Sequence, residues 1–160
     1  MKNVNFRKEP LYQKAEEILQ MVHRIVDLIP EDDEMLKSTG GFMMDDALRL
    51  PAKIAGAMGA DLYDLQMENA AIIRKSARDI YVSCNHFFAA NFKETEYLHL
   101  LRETIEEFRI LFAEWVKTFD PWNYIIDRWG LFNPPGVNYD DKDPDDDIPF
   151  DNPFNTDDPE

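Results

Sequence analysis

Cysteine occurs once in the 160 residues, at Cys84, so no disulfide can form within the chain. That usage suits a reducing compartment, and the expected location is the cytoplasm. No apolar run approaches the roughly 18 residues of a membrane-spanning helix. The opening Met1-Lys2-Asn3-Val4-Asn5 lacks the basic-then-apolar signature of a secretory signal. No P-loop, dinucleotide fingerprint or nucleophile elbow is present. Basic charge is also scarce. The formal net charge is −15, and residues 120–160 carry 12 Asp/Glu against only Arg128 and Lys142. Such a balance disfavours broad binding to nucleic-acid backbones or anionic lipid, and favours solubility or a basic partner.

What is present is helical rhythm. Leu98, Leu101, Ile105, Phe108, Phe112, Trp115 and Phe119 follow at alternating steps of three and four, which winds them onto one helix face. A stripe this bulky must pack, since burying each large apolar side chain is worth roughly 1.5–3 kcal/mol. A matching stripe of Leu11, Ala15, Ile18, Val22, Ile25 and Ile29 predicts a first helix over Leu11–Leu28, opened by Pro10 and stopped by Pro30. Gly40-Gly41 then reads as a break. A second helix is expected over Met43–Ala57, with a kink or broken turn near Leu50 because of Pro51. A third is expected over Leu62–Phe88, where Ala70, Ala71, Ser76, Ala77 and Ser83 allow close approach of a neighbour. Short connections imply an all-α, antiparallel up-down-up-down four-helix bundle over residues 1–119.

Composition changes after Phe119. Residues 120–138 hold an aromatic segment too apolar for a free tail, expected to dock on the bundle or on a neighbouring subunit. Trp122, Tyr124, Ile125, Trp129, Leu131 and Phe132 are its candidate oligomer or partner contacts. Residues 139–160 read as an acidic, disordered tail in a Pro/Asp-rich C-terminal extension, with Phe150 and Phe154 as candidate anchors for a basic, apolar groove.

Catalytic patterns are thin. Glu96-Tyr97-Leu98-His99 is one E-x-x-H, whereas a di-metal bundle needs two such motifs and two further carboxylates. His23 and His86 have no Glu three residues before them, and Cys84 falls on the apolar stripe of the third helix. The run Asp140–Asp147 lacks the central Gly and closing Glu of a calcium loop. The reading is a non-enzyme with no metal and no cofactor. Lys53, Arg74, Lys75 and Arg78 form the one candidate basic surface for nucleic acid or a partner.

Leu50-Pro51-Ala52-Lys53-Ile54-Ala55-Gly56-Ala57 resembles the I-P-A-N-I-A-E-G signature of the 23S rRNA intervening-sequence four-helix bundle proteins. The opening Phe6–Ala15, with its Gln13-Lys14-Ala15, resembles their start. That superfamily includes the accessory variability determinant of diversity-generating retroelements, a homopentamer that binds a reverse transcriptase and nucleic acid. The resemblance implies a homo-oligomeric accessory or scaffold protein with a nucleic-acid-handling partner and no catalytic residues. It has departures: Met44, Asp45 and Asp46 stand where basic residues are usual, and Gly56-Ala57 replaces Glu-Gly. The alternative function is that of an acidic regulator or inhibitor whose C-terminal tail occupies a basic site on a partner.

Overall fold

A computed structural model describes residues 5–149. Among the described residues there are four α-helices and no strand: α1 (Pro10–Asp27), α2 (Glu34–Gly59), α3 (Tyr63–Ala89) and α4 (Thr95–Val116). A short turn of 3₁₀ helix at Phe6–Lys8 precedes them, with Phe6 edge-on to Tyr12 at 5.0 Å. Each helix contacts two others: α1 meets α2 and α4, and α3 meets α2 and α4. The arrangement is that of a four-helix bundle around one core, and no described helix is long and apolar enough to cross a membrane.

The stripes read from the sequence are the buried faces. Leu11, Ala15, Ile18, Val22 and Ile25 of α1 are buried in one core with Leu98, Leu101, Ile105 and Phe108 of α4 and the buried residues of α2 and α3. Pro10 occupies the first turn of α1, where its missing N–H costs no helical hydrogen bond. Phe119 lies beyond the last residue of α4 and is still buried, edge-on to Trp115 at 4.8 Å.

The second helix differs from expectation. It starts at Glu34 rather than Met43 and runs unbroken through Gly40, Gly41 and Pro51. Asp33 starts it: its Oδ1 accepts the Leu36 N–H at 3.0 Å, satisfying one of the unpaired donors of the first turn. Gly40 is a packing residue, not a break. A Cβ built there would sit 2.6 Å from Ile29 Cδ1 and 3.3 Å from Val26 Cγ2, so the absent side chain is what lets α1 and α2 approach. Burial of Leu36 and Met43 on either side outweighs the helical cost of glycine, about 1 kcal/mol.

The α3–α4 turn is specified by its own chemistry. Phe92 N–H donates to Phe87 O at 3.0 Å and Asn91 N–H to Phe88 O at 3.1 Å, the two bonds of a Schellman closure. Asn91 takes the left-handed conformation this requires, with φ 56°. Phe92 then folds back edge-on to Phe87 at 5.2 Å and is buried.

Candidate functional site

Two surfaces stand out. The first is a groove between α3 and α4, the neighbouring pair of helices that approach each other least. It has a volume of about 490 Å³. Small residues on both helices leave room for it: Ala77 of α3 and Ala113 of α4 line it together with Ile105 and Phe108, and Phe112 is left half-buried. Val82 and Val116 continue the apolar lining, and Arg74, Arg78 and Arg109 also line it. Arg109 Nε donates to Glu106 at 2.9 Å, whereas Arg74 and Arg78 have no ion pair among the described residues. Next to the groove the seam is closed by Arg102, whose guanidinium lies 4.6 Å from the Tyr81 ring centre and 5.0 Å from that of Phe88. Its Nη2 also donates to the Asn85 side chain and, at 3.4 Å, to Tyr81 O.

This geometry divides the four cations singled out from the sequence. Arg74 and Arg78 are one helical turn apart on α3 and share the groove. Lys75 points away toward α2, paired with Asp79 beside Asp45, Asp46 and Arg49. Lys53 is half-buried on α2 and does not line the groove. Asp46 is buried on that α2–α3 face, and its Oδ1 accepts from Arg49 at 2.8 Å. Burial pushes its carboxyl above the ordinary carboxylate value, with the Asp79 charge adding to the rise; a hydrogen bond from Ser76 and the Arg49 guanidinium oppose it.

The second surface is built after α4. Asn123 ties the chain to the start of α3: its carbonyl accepts the Tyr63 N–H at 2.9 Å and its side-chain amide donates to Asp61 O at 2.8 Å. Ile126 is buried, and then Asp127 closes a loop on itself. Asp127 Oδ1 accepts the Trp129 N–H at 2.9 Å, while Oδ2 accepts those of Leu131 and Phe132 at 2.9 and 2.8 Å. Asn133 brackets the same loop, exchanging side-chain bonds with the backbone of Asp127 at 2.7 and 2.9 Å. Gly130 supplies the positive φ of 74° at the tip. Arg128 fastens the outside, donating to Tyr139 O at 2.9 Å and Asp141 O at 2.7 Å. The backbone N–H groups of Phe132, Trp129 and Leu131 hold the Asp127 carboxyl below the usual carboxylate range.

That loop displays large apolar side chains. Trp129 is 96% exposed and Leu131 73%, with Trp122 and Ile125 exposed nearby; Tyr124 and Phe132 are half-buried. The sequence reading named these six but missed Ile126, a buried residue of this segment. It also missed the role of Asp127. An Asp with Gly three residues later is a turn signal, and that spacing is visible in the chain. Arg102 carried no comparable signal. Phe150 and Phe154 lie outside the described residues.

The remaining chemistry-bearing residues are scattered. Glu96 and His99 are exposed in the first turns of α4, and the His99 ring packs 5.0 Å from that of Phe88. His23 pairs with Asp27 at 3.1 Å on the surface of α1. Cys84 is fully buried, its thiol donating to Ile80 O at 3.5 Å, and burial pushes it up from the ordinary thiol value. Among the described residues, no three His, Cys, Asp or Glu side chains gather as metal ligands would. Compared with known proteins, the chain matches no family model, no curated protein and no solved structure.

Proposed function

We propose that the protein is a non-catalytic, homo-oligomeric accessory or scaffold protein of the cytoplasm. In this reading it is an antiparallel up-down-up-down bundle with a Pro/Asp-rich C-terminal extension, and it binds a nucleic-acid-handling partner such as a reverse transcriptase. The observation that carries the reading is the Trp129–Leu131 loop. Free apolar segments of a monomer collapse onto its own core, yet here backbone hydrogen bonds to one carboxylate hold Trp129 and Leu131 exposed. Tryptophan is the side chain most enriched among residues that dominate interfaces, and a pre-ordered loop loses little entropy on docking. Its occupant in this account is a second copy of the chain. A contact between unlike patches generates a ring when the rotation closes, and the family resemblance suggests a closed pentamer.

Binding to the partner is assigned to the bundle surface that carries Arg74 and Arg78, the two sequence-identified cations that share the groove. The net charge of −15 restricts such binding to a local patch. Light scattering on the full chain and on the W129A/L131A variant tests the assembly. Loss of salt-sensitive nucleic-acid binding on R74E/R78E substitution tests the patch.

A further inference from the structure

The α3–α4 groove joins an apolar floor to two arginines without ion pairs among the described residues, and the chain itself carries a segment of complementary chemistry. We propose that residues 150–160 of the same chain occupy this groove, with Phe150 and Phe154 against its apolar floor and the neighbouring acids on Arg74 and Arg78. The segment reads Phe150-Asp151-Asn152-Pro153-Phe154-Asn155-Thr156-Asp157-Asp158-Pro159-Glu160: two aromatics, four acids and no base. Both requirements of the groove are met. The aromatics can enter the space that Ala77 leaves between Ile105 and Phe112, and Asp151, Asp157 and Asp158 offer carboxylates to guanidinium groups that bind them in fork geometry.

Lengths agree as well. Along α3 the groove runs from Arg74 to Val82, about 12 Å at the helical rise. Two aromatics four residues apart in an extended segment stand up to about 13 Å apart. Attachment favours the same end of the molecule. Val116 is both the last residue of α4 and part of the groove, and Asn123 fastens the following chain beside Tyr63 at the start of α3. From Asp141, held by Arg128, the chain leads to Phe150 through two turns, in which the Asp146 N–H donates to Asp143 O at 3.1 Å and the Ile148 N–H to Asp145 O at 3.0 Å. A segment tethered to the same molecule binds intramolecularly, so modest intrinsic affinity suffices. The consequence is regulatory. Arg74 and Arg78 become accessible to an acidic partner only when that partner displaces the tail. Docking of the tail rests on the groove and the segment alone, so it holds whether or not copies assemble through Trp129.

The test is photo-crosslinking of the full chain carrying Phe154→p-benzoylphenylalanine, with light and isotopically heavy chains unfolded together and refolded as a mixture. The expected result is cross-links to residues 74–82 or 105–116 within one isotopic species, reduced to background by R74E/R78E and retained in W129A/L131A. Circular dichroism confirms that each variant keeps its helices. Cross-links spread over other surfaces, cross-links indifferent to R74E/R78E, or none at all would overturn the proposal. Light–heavy pairs would overturn the same-chain assignment by placing a second copy's tail in the groove. A monomeric mass for the wild type combined with the expected cross-links would end the assembly reading and leave this one standing.

Discussion

Asn91 ends α3 in a conformation that costs an ordinary L-residue roughly 1 kcal/mol or more, and asparagine tolerates it better than most. N91G should therefore match or exceed the wild type in urea unfolding, while N91A should lose about 1 kcal/mol with an unchanged dependence on urea. Asp46 makes a pH-dependent prediction. Its folded-state carboxyl titrates above the ordinary value, chiefly through burial, so the folded state holds its proton more tightly than the unfolded chain. This contribution to stability is full below the ordinary carboxylate range, near pH ~4, and is lost as pH rises through the elevated folded value. Arg49, Lys75, Asp45 and Asp79 surround the group and set how far the shift extends. D46N removes the titration. Thermal unfolding across pH should show D46N gaining on the wild type as pH rises above ~4, and a pH-independent difference would contradict the assignment. Sequence reading could not find this group, because the burial of Asp46 depends on α3 lying across α2.

At the scale of elements, α1 and α4 were legible because their stripes are nearly pure: bulky apolar residues at helical spacing with polar residues between. The start of α2 was not legible. Gly40-Gly41 carries the same two letters whether the chain turns or a neighbouring helix presses close, and only the position of Ile29 and Val26 distinguishes them. The two glycines should consequently behave differently. Gly41 has nothing within 4 Å of a built Cβ, so G41A should raise stability by about 1 kcal/mol through helix propensity. G40A must push Ile29 and Val26 aside and should not deliver that gain; the larger G40L should cost about 1–3 kcal/mol by overpacking. Urea unfolding of the three variants checks the pair, and equal gains for G40A and G41A would refute the close approach. The groove was equally hidden from the chain. Ala77, Ile105 and Phe112 each look like core residues, and that they line an opening depends on how α3 and α4 sit against each other.

For the whole molecule, the helical class and most of the core could be read from periodicity, while the two surfaces came from tertiary placement. The Trp129 loop is the clearer case. Its aromatics were visible in the sequence, but their outward presentation depends on the hydrogen bonds of Asp127 and Asn133, which follow no period. The same carboxylate controls the proposed assembly. Because its folded value lies below the ordinary range, the stabilisation it gives the loop is present above that range and lost as pH falls through the depressed value. Absolute mass by light scattering, on the full chain and on W129A/L131A and D127A, decides whether the Trp129 loop joins copies of the chain. A closed assembly is expected for the wild type and single chains for both variants, with helical content unchanged in all three. A wild type with the mass of one chain, or variants that assemble as the wild type does, would contradict it.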